Sequence, residues 1–267
     1  MPDKKRVWEI DFLRGFAIIA MIFDHIMVDF SYFFVGSSAF ASGVFVKISD
    51  FANIYMESLF RDVFHNVFVI IFLTISGISC SFSRNNLLRG VKLLAVALLL
   101  SLVTYLLDYF SGSSGDYFIA FGILHLLSIS IILYALIRRF GNLAVILTGS
   151  IIIAAGIALS ILHSSNPSNH ILMWLTNPGT NILAPFGIYI LGFYSADYFP
   201  ILPWTGVFLL GTYLGKALYS ERVSLLKFEP KLQRPFAFVG RHALLVYIVH
   251  QPIIYGIIWL IAYVAVR

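Results

Sequence analysis

Trp8-Glu-Ile-Asp11-Phe-Leu-Arg14-Gly15-Phe-Ala-Ile-Ile-Ala-Met-Ile-Phe-Asp24-His25 is the stretch that decides the fold. It is apolar enough to cross a bilayer, yet it contains Asp11, Arg14, Asp24 and His25. A charge at the bilayer centre costs about 2.5–3.5 kcal/mol on insertion scales, so ionisable groups inside a span mark a functional pathway. On a helix turning about 100° per residue, Arg14 and His25 fall about 20° apart and Asp11 lies within about 60° of both, while Asp24 points the other way. The stretch predicts one polar stripe, with Arg14 and His25 about 16 Å apart along the axis. The plainer alternative is polarity that only glues helices together, but membrane helices pack mostly through Ser, Thr and small residues.

The rest of the chain agrees. Of its 267 residues 60% are hydrophobic and 12% charged, with a mean hydropathy of +0.90. No soluble globular domain has that balance. Long apolar runs at 10–30, 63–83, 87–109, 117–137, 141–162, 200–219 and 237–265 predict an all-α polytopic membrane bundle of about seven transmembrane helices, forming a single domain over 1–267. A shorter run, 182–194, holds Pro185 and two glycines; it is too short to span and is expected to be re-entrant or interfacial. Of the 18 lysines and arginines, all but Lys47, Arg61 and Arg267 fall on one side if the N-terminus is cytoplasmic. That is the positive-inside pattern, and an eighth span would break it. Topology thus explains the net charge of +5, and nucleic-acid binding, which needs a solvated basic face, is not expected. No small-residue cleavage site follows the first run, so it is not a cleaved signal peptide. Cys80 is the single cysteine, which excludes an internal disulfide; its Ser76–Ser81 surroundings predict close helix packing. Two long outer loops, 31–62 and 163–199, are rich in aromatics and are expected to be interfacial.

Depth places four of the seven histidines in the outer halves of four spans: His25, His65, His125 and His250. A span starting at Tyr117 would put His125 about 12 Å in from the outer face. Each alone reads as a packing histidine; four together suggest a chamber. Zinc needs closely spaced ligands. No span carries a His-x-x-x-His pair, so no metal is expected. Neutral imidazole suits general acid–base work on an amine or hydroxyl. On the inner side Arg14 opens the stripe, and Arg84, Arg89, Lys92 and Arg241 stand at helix ends. Arginine suits phosphate through bidentate, charge-assisted bonds, although loop cations also follow from orientation alone. A cationic inner mouth joined to a histidine-rich outer chamber fits a long donor with an anionic head, such as an acyl-coenzyme A. The competing reading is a transporter conducting a proton or small anion, which the lack of inverted repeats weakens.

Asp11-Phe-Leu-Arg14-Gly15-Phe-Ala with His25 resembles the first helix of the transmembrane acyltransferases, in particular the heparan-alpha-glucosaminide N-acetyltransferase catalytic-domain family and its small bacterial members. Phe72-Leu-Thr-Ile-Ser-Gly77-Ile-Ser79, Phe121-Gly122-Ile-Leu-His125, Pro203-Trp204-Thr-Gly206-Val-Phe-Leu-Leu-Gly211 and Gly240-Arg241-His242-Ala-Leu-Leu-Val-Tyr247-Ile-Val-His250-Gln251-Pro252 extend the resemblance through nearly the whole chain. It implies transfer of acetyl from cytosolic acetyl-CoA to an amino sugar or glycan across a bacterial plasma membrane; a homo-oligomer stays open. The lysosomal members carry Asn where His25 stands and a histidine just after the first span, a region without one here. The resemblance therefore implies that His25 or His65 takes that role. His25, His65, His250 and Asp11 are the catalytic candidates. Arg14, Arg84, Arg89, Arg241, Gly15 and His125 are the candidates for binding acetyl-CoA.

Overall fold

The computed structural model describes residues 7–33, 43–113, 115–165, 180–190, 192–226, 230–231 and 233–265. The fold is all-α and polytopic. In chain order the helices are α1 (Trp8–Val28), α2 (Val44–Met56), α3 (Leu59–Ser81), α4 (Asn86–Ser111), α5 (Ile123–Ile137), α6 (Asn142–Ser165), α7 (Ile201–Leu218), α8 (Gln233–Arg241) and α9 (Ala243–Ala265). Six of them, α3 to α7 and α9, are long and apolar enough to cross a membrane, α5 together with the 3-10 turn Arg138–Phe140 that continues it. α1 is as long, at 21 residues, but carries Glu9, Asp11, Arg14 and Asp24. We read it as a further span.

The chain divides into two compact units, Met1–Phe72 with Arg222–Arg267, and Leu73–Glu221. In the first, α1 runs into a short π-helical turn, Asp29–Phe33. Met27, Phe30, Ala52, Tyr55 and Ile258 form a buried cluster that joins α1, its π turn, α2 and α9. α8 packs flat on α1 because glycines remove the side chains between them. A Cβ on Gly15 would strike the Phe236 carbonyl, and one on Gly240 would strike the Asp11 carbonyl. Phe12 and Phe236 close the seam, with ring centroids 5.3 Å apart.

The second unit packs by the same rule, through small residues that let backbones approach. A Cβ on Gly77 would meet the Phe208 carbonyl, one on Gly211 the Thr74 backbone, and one on Gly206 the Gly149 carbonyl. Cys80 is fully buried in this packing, and Asn86 Nδ2 donates to its carbonyl at 3.1 Å. α4 ends where Gly112 turns left-handed, at φ 67°.

Two expectations change. The run 237–265 is not one helix: the chain turns at His242, between α8 and α9. Arg241 is the last residue of α8. α8 is tied to α1 through Gly240, while α9 is a separate apolar helix. The run 117–137 is helical only from Ile123, because residues 118–122 are drawn into extended backbone, with Phe121 bridging to Tyr198. Among the described residues of 182–194 there is no spanning helix, in line with the expectation; they hold one 3-10 turn, Ala184–Phe186, closed by a left-handed Gly187. Within the aromatic stretch 31–62 the described residues include α2, with Val44, Phe51 and Ile54 exposed along it. Phe34, Phe40, Trp174, Lys4, Lys5, Arg6, Lys227 and Arg267 lie outside the described residues.

Candidate functional site

Among the described residues the first unit holds most of the buried Asp, Glu and His side chains, and α1 organises them at two levels. At its Trp8 end, Glu9 is buried and accepts from the Ser224 hydroxyl at 2.6 Å and the Leu225 amide at 2.7 Å. One turn on, Arg14 Nη1 lies 3.1 Å from Asp11 Oδ1, an i,i+3 pair with both side chains mostly buried. The same nitrogen donates to the Gly240 carbonyl at 3.2 Å. Gly15 is what allows this: without a side chain there, α8 comes close enough to offer that carbonyl. Arg241 follows Gly240 and is exposed.

At the other end of α1 sit Asp24, His25 and, one turn further, Asp29. Asp24 is 3% exposed, and it is saturated. Arg61 of α3 grips it with Nε and Nη2, both at 3.1 Å, and the Tyr55 hydroxyl of α2 donates to it at 3.0 Å. His65 Nδ1 stands 3.4 Å from its second oxygen. Burial first, and the Asp24 carboxylate second, push the Tyr55 phenol above its usual range, so it remains a donor.

His25 and His250 meet edge to face, with ring centroids 5.0 Å apart. His25 Nδ1 lies 2.9 Å from the Met21 carbonyl, and His250 Nδ1 lies 2.6 Å from the Tyr247 carbonyl. A carbonyl only accepts, so each Nδ1 carries the proton and each Nε2 carries a lone pair. His250 is buried, and its Nε2 has no partner; His25 is half-buried and reachable. Beside them Gln251 Nε2 donates to Asp29 Oδ1 at 2.6 Å.

In the second unit His163 repeats the His25 pattern, with Nδ1 3.0 Å from the Leu159 carbonyl, but His125 is used differently. His125 is in the first turn of α5, not two turns deep, because the helix starts at Ile123. Its Nδ1 accepts from the Gly122 amide at 3.2 Å, which leaves Nε2 as the donor, toward Ser101 Oγ at 3.3 Å. The Ser101 hydroxyl passes on to the Ile119 carbonyl at 2.6 Å. Asp197 completes the cap by accepting from the Ile123 amide at 2.9 Å. His125 therefore closes a helix start, with both nitrogens occupied. Arg84 and Arg89 are exposed near the start of α4, and the Arg84 carbonyl accepts from Arg138 at 3.0 Å.

The structure therefore brings together Asp11, Arg14 and Gly15 at one level, and His25 and His250 at the other, with His65 on Asp24. Sequence reasoning passed over Glu9, Asp24, Tyr55, Arg61, Asp29 and Asp197. For Asp29 a signal existed: it follows His25 by four residues, about 40° around the helix, on the same face. Among the described residues no three His, Cys, Asp or Glu side chains are grouped to hold a metal ion.

No curated protein and no solved structure matches the chain. A family model for the catalytic part of heparan-alpha-glucosaminide N-acetyltransferase matches residues 6–252. The match covers both levels of α1 and ends just past Gln251, so every polar group described in the first unit lies within it. That span is nearly the whole chain, and its family is one of membrane acetyltransferases: the protein belongs to the heparan-alpha-glucosaminide N-acetyltransferase catalytic-domain family.

Proposed function

We propose that the chain moves an acetyl group from acetyl-CoA on the cytoplasmic side to the amine or hydroxyl of an amino sugar or glycan on the other side of a bacterial plasma membrane. One observation carries the reading. Two adjoining imidazoles present Nε2 lone pairs at one end of α1, and a guanidinium stands at the other. His25 is the general base: half-buried, it can meet an acceptor, and its proton-bearing Nδ1 is held by the Met21 carbonyl. The acceptor's N–H or O–H proton passes to His25 Nε2 as the new C–N or C–O bond forms. The thioester C–S bond breaks, the sulfur takes up the proton that His25 accepted, and CoA leaves as its thiol while His25 returns to its neutral form. His250 packs against the His25 ring and fixes its plane. His65, held beside Asp24, is the second candidate base. Arg14, fixed by Asp11 and the Gly240 carbonyl, and the exposed Arg241 are the cations of this unit suited to the donor's phosphates. Arg84 and Arg89 are exposed cations of the second unit with the same chemistry. Phosphates do not enter an apolar core cheaply, so the head stays on its own side while the acetyl group crosses.

Sealed vesicles test this directly. With acetyl-CoA supplied on one side and acceptor on the other, acetylated product should appear opposite the donor, and free CoA should appear beside it. Solute flux with no CoA released, across a panel of amine and hydroxyl acceptors, would establish a transporter instead.

A further inference from the structure

In the second unit, a cluster of aromatic rings lies where the end of α6 meets the segment before α7, and the transfer chemistry does not use it. Tyr189 is its centre. The Tyr189 ring stacks on that of His163, near the end of α6, with the planes 25° apart and the centroids 6.1 Å apart. Phe193 and Tyr198 flank Tyr189 at 5.2 and 5.6 Å, and lie 5.2 Å from each other. The backbone that carries Tyr189 is fixed on both sides. Asn181 Oδ1 accepts from the Ile190 amide at 3.1 Å, and Gly187 turns left-handed at φ 89° two residues before the ring. The two tyrosines of the cluster differ. Tyr198 donates its hydroxyl to the Ala184 carbonyl at 2.7 Å and so fastens the loop. Tyr189 meets three rings, yet it is 39% exposed and its hydroxyl has no partner among the described residues. His163 is also open at one end. Its Nδ1 lies 3.0 Å from the Leu159 carbonyl and therefore carries the proton, which leaves the Nε2 lone pair without a partner among the described residues.

A tyrosine that only packs buries its ring and finds its hydroxyl a partner, as Tyr198 does. Tyr189 keeps an open ring on a rigid support, and a hydroxyl and an imidazole nitrogen stand at the edges of the stack. Ligand sites have this make-up: aromatic walls with a few polar atoms that fix orientation. The fitting ligand has one apolar face and a polar rim. A pyranose has both. The C–H groups on one face of the sugar are weakly positive and suit the negative face of an aromatic ring. Its hydroxyls donate to Nε2 and exchange hydrogen bonds with the phenol. The four rings bring no guanidinium and no ammonium, so a sugar ring fits better than a phosphate-bearing headgroup. With the N-terminus cytoplasmic, the distribution of lysine and arginine puts this end of α6 on the far side of the membrane. We propose that Tyr189 and His163 form a platform that binds one pyranose ring of the acceptor glycan. The choice of a sugar rests on the acetyltransferase reading; the open stack does not.

The experiment measures binding without acetyl-CoA, on the purified full-length protein in phosphatidylglycerol nanodiscs, free of sugar-headed detergent. Methyl β-glucosaminide and methyl β-glucoside are the probes, followed by saturation-transfer NMR. The titration should saturate, and the ring C–H groups of one sugar face should receive more magnetisation than those of the other. Tyr189→Ala should raise the Kd about threefold to tenfold, as loss of a ring contact predicts, while Tyr189→Trp should stay within about twofold. His163→Phe keeps a ring and loses the Nε2 acceptor, and should raise the Kd about threefold. No saturable binding of either glycoside overturns the proposal, as does a Kd that Tyr189→Ala leaves unchanged. If Tyr189→Ala does not fold, an unchanged Kd in His163→Phe overturns it alone. Phosphocholine that displaces the glycosides at equal concentration assigns the surface to headgroups and overturns it too. Because no donor is present, the two readings fail separately. Sugar binding that survives a failed transfer assay sinks only the reaction, and transfer without binding at Tyr189 sinks only the platform.

Discussion

His125 in one unit and the His25–His250 pair in the other use the imidazole ring in opposite ways. In Leu73–Glu221, His125 has one nitrogen accepting from the backbone and the other directed at Ser101. Nothing is left over for a ligand. In the other unit, His25 and His250 each commit Nδ1 to a carbonyl of their own helix and keep Nε2 as a lone pair. A ring that satisfies itself locally in this way is held still while one end stays basic, which is what proton transfer needs. The difference separates a histidine that builds a helix start from histidines free to act, and burial alone would not show it: His125 and His250 are both buried.

The largest effect is expected at His25. A positioned base contributes about 10²–10⁴-fold in rate, so His25→Ala should lower turnover on that scale and leave donor affinity within a few-fold. Steady-state kinetics with acetyl-CoA and an amine acceptor provide the measurement. If His25→Ala is fully active and His65→Ala collapses, the base is the imidazole on Asp24, and the comparison has to be redrawn around α3.

Asp24 comes next, through the fold. It fills the buried centre of a network from α1, α2 and α3, and Asp24→Ala would strand Arg61. Removing one partner of a buried pair costs about 3–5 kcal/mol. Arg61 is 24% exposed, so water recovers part of this, and the lower end, about 3 kcal/mol, is expected. Denaturant unfolding in detergent reads it. A loss below about 1 kcal/mol would mean that the pair behaves as a surface one.

How much of this was legible follows from the distance between partners. The polar stripe on α1 could be read because helical spacing fixes which residues share a face. His25 with Asp29, and Asp11 with Arg14, are local in that sense. Asp24 looked idle for the opposite reason: its partners Tyr55 and Arg61 lie more than thirty residues away in chain order, on helices whose placement no periodicity states. His125 was misplaced along its helix because apolar runs do not reveal where a helix begins. The start at Ile123 depends on the Asp197 carboxylate, 74 residues away. The break at His242 was hidden in the same way, since residues on both sides of it are apolar enough to read as one run.

Arg14 probes the other level of α1 and should have a smaller effect. Its guanidinium faces both Asp11 and the Gly240 carbonyl, so part of its charge is already engaged. Arg14→Ala should weaken CoA binding about tenfold, the loss of one charge-assisted contact, while Arg14→Lys keeps the charge, loses the planar fork and falls between. Equilibrium binding of CoA to the purified variants decides it. Unchanged affinity in Arg14→Ala would confine this arginine to fastening α8 onto α1.

The smallest effect on activity should come from His125, which closes the start of α5. His125→Ala removes the acceptor for the Gly122 amide and the donor to Ser101, but Asp197 still caps Ile123 and Ser101 still reaches the Ile119 carbonyl. Loss of a capping side chain costs about 0.5–2 kcal/mol, so stability should fall by about 1 kcal/mol. Turnover per folded molecule should stay within about twofold, since a difference of that size is only about 0.4 kcal/mol on the barrier. Parallel measurement of unfolding and of initial rate separates the two quantities. A hundredfold loss of rate in a variant that remains folded would return His125 to the chemistry, and the contrast between the two units would then fail.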